Sequence, residues 1–178
     1  LSRLTGISTA NLTSDLGPLQ APGTPLFLPY LGGERTPHND AQIRGQFLHL
    51  DHATDPAAAT RAVLEGVAYA FADCQAALAA TGTTINNALA IGGGSKSDYW
   101  LQGIASTLNI PLEVPVAGDF GAALGAARLG MMAATGADLS IATPPPIAKT
   151  IDPDPALVSA FAAAHGRYRT AYSILKDL

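Results

Sequence analysis

Apolar positions along this chain fall into blocks of different period, and the periods predict the elements. Between Asp55 and Gly82, the residues Val63, Val67, Phe71, Cys74 and Leu78 recur at spacings of 4, 4, 3 and 4. That repeat belongs to a long helix burying one face. Asp55 followed by Pro56 supplies an N-cap and a first-turn proline, and Gly82 supplies a stop. "NALAIGG" (87–93) is too short for a helix and is bounded by glycines, so it reads as a buried strand. Ser97 then caps a helix whose face is marked by Trp100 or Leu101, Ile104 and Leu108, and "PLEVP" (111–115) is a second strand. A β-α-β order of this length predicts two parallel strands joined by a right-handed crossover.

The flanks are less regular. "LSRLTG" reads as the last turn of a helix running into a glycine stop, without an initiating Met, and suggests a piece of something longer. Prolines at 22, 25, 29 and 37 exclude a regular helix there and predict extended segments, with a strand near 46–50. Asp119 would cap a helix running to Gly136, whose small residues within 121–127 permit a very close neighbour. Residues 143–153, "TPPPIAKTIDP", read as a Pro-rich linker. Asp152-Pro153 or Asp154-Pro155 restarts the chain into a final amphipathic helix carrying Leu157, Phe161, Tyr168, Tyr172 and Leu175. The fold class predicted is α/β.

Composition narrows the partners. The chain has 178 residues, 48% of them apolar and only 13% charged, which favours an ordered core and a surface partly made to meet another domain. With a net charge of −4 and no cluster of Lys or Arg, it offers no footprint for nucleic acid or an anionic membrane. No apolar run reaches the roughly 18–20 residues a membrane helix needs. The single cysteine, Cys74, excludes an internal disulfide and reads as a small core residue.

The candidate chemistry lies in "AIGGGSKSDYW" (90–100). A strand ending in Gly92, Gly93 and Gly94 bares backbone against which a flat ring or a phosphate can lie, next to a helix N-terminus. A plain tight turn explains the glycines equally well. Gly92-x-Gly94-x-x-Ser97, with Glu113 about 20 residues on, nearly matches a dinucleotide fingerprint, yet a Ser replaces its last glycine. The phosphate-loop motif fails because Ser95, not Gly, precedes Lys96. His38, His49, His52 and His165 show no metal-ligand spacing and read as surface or loop residues. Glu34 and Arg35 read as a loop ion pair, and Asp119 as a helix cap rather than a base.

Four ordered stretches, "LFLPYLGGERTPHND", "RAVLEGVAYAFAD", "IGGGSKSDYWLQGIASTLNIPLEV" and "GDFGAALGAARLG", together resemble the C-terminal part of the FGGY carbohydrate kinases, most closely the xylulokinases. The resemblance implies an actin-like ATPase fold of the sugar kinase/Hsp70, ribonuclease H-like type, with a mixed or parallel sheet and flanking long helices. Residues 1–178 would be a partial C-terminal domain, with the N-terminal domain and the opening of this domain outside the chain. The implied reaction passes the γ-phosphoryl group of ATP to D-xylulose, giving D-xylulose 5-phosphate and ADP, with Mg²⁺ on the phosphates. Its catalytic Asp and metal ligands would lie outside this chain, so no residue here is assigned as catalytic and the chain alone is expected to be inactive. Gly93 and Gly94 would lie against adenine and ribose, and Ser95 and Asp98 would make polar contacts to the nucleotide. Related kinases commonly carry Asn at the Asp98 position. "RAVLEGVAYAFAD" would be mostly scaffold with Glu65 exposed or capping, and "GDFGAALGAARLG" would lie at the interdomain connection. A cytoplasmic location and a homodimer follow by analogy. Other sugars of the family (ribulose, glycerol, gluconate) remain open, as does a non-catalytic nucleotide-binding or assembly module.

Overall fold

The computed structural model describes residues 1–14, 16–116 and 121–177. The chain opens with a short helix, α1 (Ser2–Thr5), stopped by Gly6 in the left-handed conformation at φ 71°. After α2 (Thr9–Ser14), strands β1 (Leu26–Leu28) and β2 (Gln46–Leu48) form an antiparallel pair, with Phe27 opposite Phe47. The loop between them uses its own polar groups. Glu34 Oε2 accepts from the His38 N–H at 2.8 Å, and Asp40 Oδ1 accepts from the N–H groups of Gln42 and Ile43.

The long helix is α3 (Pro56–Ala80), with Asp55 Oδ1 accepting from the Ala58 N–H at 2.7 Å and Pro56 in its first turn. Its buried face is not the expected stripe. Ala62, Glu65, Gly66, Ala68, Tyr69, Ala72 and Asp73 turn inward, whereas Phe71 and Leu78 are 46% and 45% exposed. The helix is apolar nearly all round, so periodicity alone does not choose its face; close approach does. A Cβ on Gly66 would sit 2.1 Å from the Phe27 carbonyl oxygen, so α3 rests flush on β1 only because position 66 has no side chain.

Strand β3 (Ala88–Leu89) pairs in parallel with β4 (Leu112–Pro115), joined through α4 (Asp98–Leu108), as the β-α-β order predicts. Residues 143–153, read as a linker, instead carry a strand, β5 (Ile147–Ile151), which runs antiparallel to β4. The prolines at 144–146 break helix, but they precede an extended run able to complete a mixed three-stranded sheet. Helix α5 (Gly121–Thr135) buries none of its residues, but the first of its small residues does meet a close neighbour: a Cβ on Gly121 would come 2.5 Å from Ile91 Cδ1; Asp119 lies outside the described residues. The final helix, α6 (Val158–Leu175), buries Phe161 and Tyr168 as its pattern predicts, with Ala164 beside them, but it starts after both Asp-Pro pairs, with Leu157 as an N-cap that makes no side-chain cap bond.

Two cores meet on α3. One gathers Leu26, Leu28, Tyr30 and Ile43 with Tyr69, Phe161 and Tyr168; the other gathers Ala68 with Leu101, Ile104, Leu112 and Val114. By length and composition α3 could cross a membrane, but Arg61, Glu65 and Asp73 interrupt its apolar run, and it packs on β1, α4 and α6.

Glu65 is only 8% exposed, contrary to its expected place at the surface. Burial pushes its carboxyl up to about 7, against the opposing pull of Arg61, Arg167 and the Gly23 backbone. The folded state therefore holds this proton more tightly than the unfolded chain does. Stability should fall as pH rises from about 4.5 to above 7, by up to about 3 kcal/mol from this group. Urea midpoints across that range should show the loss in the natural chain and a flatter profile in Glu65→Gln; parallel profiles would contradict the assignment. At the adjoining position, Gly66→Ala gains about 1 kcal/mol of helix propensity. The clash with a backbone carbonyl should outweigh this, for a net loss of about 2 kcal/mol or more, read as a lowered urea midpoint.

Candidate functional site

Beyond β3 the backbone turns sharply at Gly92, where φ is 81°, into a single 3₁₀ turn over Gly93–Lys96. Ser95 closes it, its N–H and its hydroxyl both donating to the Gly92 carbonyl at 3.1 and 2.7 Å. Ser97 then caps α4, its Oγ accepting from the Trp100 N–H.

The three glycines answer to three constraints. Gly92 needs its positive φ. Gly94 lies under the indole of Trp100, where a Cβ would come 2.4 Å from Cζ3. Trp100 is itself tied down, its Nε1–H donating to the Leu64 carbonyl of α3 at 3.1 Å. Gly93 is different: a Cβ there would meet nothing within 4 Å. Of the two glycines expected against a nucleotide, Gly93 alone presents open backbone, while Gly94 is required by packing.

Asp98 stands in the first turn of α4, largely exposed, and is ion-paired with the Lys149 ammonium of β5. Gly93, Gly94, Ser95 and Asp98 are thus grouped where β3 passes into α4. Lys149, which sequence reading did not place, joins them from 51 residues away, inside the segment read as a linker. One side of the turn borders an apolar hollow of about 430 Å³, lined by Phe71, Leu78, Ile91 and Trp100 among others.

Other candidates resolve into structural roles. Glu113, the possible ribose acid, accepts from the Asn87 side chain at 3.0 Å, and the antiparallel β5 denies the sheet the third parallel strand of a dinucleotide unit. His49 and His52 are exposed, but His38 and His165 are not free surface residues: both converge on buried Asp73, with His165 Nε2 2.9 Å from Oδ1 and His38 Nε2 3.8 Å from Oδ2. A buried carboxylate is stable only when paired, which the spacing of residues 38, 73 and 165 does not disclose. Cys74 is half-buried and its thiol donates to the Thr36 carbonyl; burial, with the charges of Glu34 and Asp73, pushes that thiol up and makes it a poor nucleophile. Among the described residues no three His, Cys, Asp or Glu side chains form a metal-holding group.

A mixed sheet flanked by helices, with a glycine-rich strand-to-helix turn at its edge, defines an α/β domain. Residues 7–134 match the C-terminal domain of the FGGY family of carbohydrate kinases. The chain belongs to that family, and its α/β fold is the actin-like fold of that domain. It is 41% identical over 154 residues to a xylulose kinase of Escherichia coli K12, covering 85% of this chain and 32% of that protein. A solved xylulose kinase from Brucella ovis superposes with a TM-score of 0.90 at 54% identity, over 98% of this chain and 36% of the other. A gluconate kinase from Lactobacillus acidophilus superposes at 0.73 with 30% identity, over 86% and 31%. The chain spans about a third of the length of each of these proteins.

The separate demands on the glycines are testable with the single tryptophan as reporter. Gly94→Ala should displace the Trp100 indole, shift its emission and destabilise the chain by about 1–3 kcal/mol. Gly93→Ala should leave emission and thermal midpoint unchanged.

Proposed function

We propose that this chain is the nucleotide-holding part of an ATP-dependent sugar kinase that converts D-xylulose and ATP to D-xylulose 5-phosphate and ADP. The observation that carries the nucleotide half of this reading is Gly93. Its open backbone sits at a tight turn leading into the N-terminus of α4, within the segment matched to a kinase family. A flat base or ribose can lie on such backbone without steric conflict, and the first-turn N–H groups of α4 favour negative charge nearby. Ser95 keeps acceptor capacity on an oxygen whose proton is committed to Gly92, and Asp98 is an exposed acceptor at the rim. The sugar is argued from likeness: 54% identity to a xylulose kinase against 30% to a gluconate kinase.

Mg²⁺, when bound with the nucleotide, would shield the phosphates during transfer. This chain's part is to hold and orient the nucleotide, because phosphoryl transfer depends on positioning and charge stabilisation. Its buried acids, Glu65 and Asp73, are occupied within the fold. By likeness to the family, of whose members this chain spans about a third, the sugar-activating base and the metal carboxylates are assigned to the remainder of the parent enzyme, and the chain alone is proposed to be inactive.

In the parent enzyme, Gly93→Val should raise the calorimetric Kd for ATP by about tenfold or more, since side-chain atoms would occupy the space of the base. The thermal midpoint should be kept, because that space is open in the fold. The natural enzyme should turn over xylulose with a higher kcat/KM than ribulose, glycerol or gluconate, and the 178-residue chain alone should turn over none. Unchanged ATP affinity in the Val variant would remove Gly93 from the site; preference for another sugar would reassign the substrate while leaving the nucleotide site in place.

A further inference from the structure

Lys149 lies outside the residues matched to the family, yet its ammonium meets the Asp98 carboxylate at the rim of the glycine turn. It reaches there from β5, where it sits opposite Val114 near the end of β4 that also leads toward the turn side of the sheet. The pair contributes little to the fold. With side chains 43% and 66% exposed, it belongs to the class of surface ion pairs worth about 0–1 kcal/mol. Its consequence is local and electrostatic. Asp98 places a negative charge in the first turn of α4, beside the surface on which an anionic nucleotide would have to rest. A bare carboxylate there would repel phosphate groups and would be free to rotate away from any fixed contact.

We propose that Lys149 is a positioning residue of the nucleotide site: it fixes the Asp98 carboxylate and cancels its charge, so that an anionic adenine nucleotide is accepted at the Gly93 face. This rests on the nucleotide reading of the glycine turn. Asp98 then acts as a neutralised, oriented acceptor, doing in a charged pair what a neutral amide side chain does without a partner. The arrangement also makes a prediction about which ligands feel the lysine. Uncharged adenosine should not, whereas ADP and ATP should, increasingly with their charge.

The test uses the full-length kinase and calorimetric titration with adenosine, ADP and ATP at low and high salt. Lys149→Met should weaken ATP binding about tenfold at low ionic strength, weaken ADP less, and leave adenosine within about twofold. The deficit should shrink in about 0.5 M salt, because exposed charges are screened. Adding Asp98→Asn to Lys149→Met should restore ATP affinity to within about twofold of the natural enzyme, a coupling that a merely structural lysine would not show. Natural ATP affinity in Lys149→Met at low salt would overturn the proposal. So would a loss that Asp98→Asn fails to rescue, which would mean that Lys149 touches the nucleotide itself. If Gly93→Val binds ATP normally, the site reading fails first; if Gly93→Val is impaired and Lys149→Met is not, only the role of Lys149 fails.

Discussion

The fold depends on the contact between α3 and β1 at Gly66. With no side chain at that position, helix and strand backbones meet, and the Phe27 carbonyl occupies the space a Cβ would need. That approach sets the rotation of α3. With Gly66 against the strand, Tyr69 enters one core while its neighbour Ala68 enters the other, so two clusters that share no strand are held by one helix. A larger separation would open both at once, because protein interiors are close-packed and lose dispersion contacts steeply with small gaps.

The same rotation buries two carboxylates, and the chain compensates each differently. Asp73 receives His165 at 2.9 Å, faces His38 at 3.8 Å and has the Arg169 guanidinium at 3.6 Å, so the β1–β2 loop and α6 are both drawn to α3 by one side chain. His38 is further fixed by stacking on Tyr172, with ring centroids 3.6 Å apart, and the Tyr168 hydroxyl donates to that of Tyr30 at 2.6 Å. Glu65 has cations near but not enough to offset burial, which is why its carboxyl is raised. One acid therefore joins elements, while the other makes the fold sensitive to pH.

Local signals in the sequence located the ends of helices better than their faces. Asp55-Pro56 and Ser97 start helices because capping is settled by two or three adjacent residues. The final helix is the exception: its start falls at Val158 rather than at either Asp-Pro pair, but its face was legible because large apolar residues alternate with polar ones along it. On α3 that contrast is missing. Large residues such as Phe71 and Leu78 attract the eye, but small ones such as Ala62, Gly66 and Ala72 permit the closest approach and take the interior. Strand β5 was hidden behind three prolines, and the Asp73 cluster behind sequence distance, because neither pairing nor charge compensation is encoded locally.

A glycine run reads as one feature in a sequence, yet here it separates into a turn residue, an open residue and a packing residue. The separation changes how such a motif should be interpreted. Gly92 and Gly94 are demanded by the backbone's own geometry and by Trp100, so they would be required even if nothing were bound. Gly93 is not demanded by anything in the fold, and a residue with a side chain could occupy it without strain. A position where glycine is structurally unnecessary, flanked by two where it is necessary, is better evidence for a ligand than the run as a whole. Trp100 links this surface to α3 through the Leu64 carbonyl, so the helix that sets both cores also fixes the height of the platform on which the nucleotide is proposed to rest.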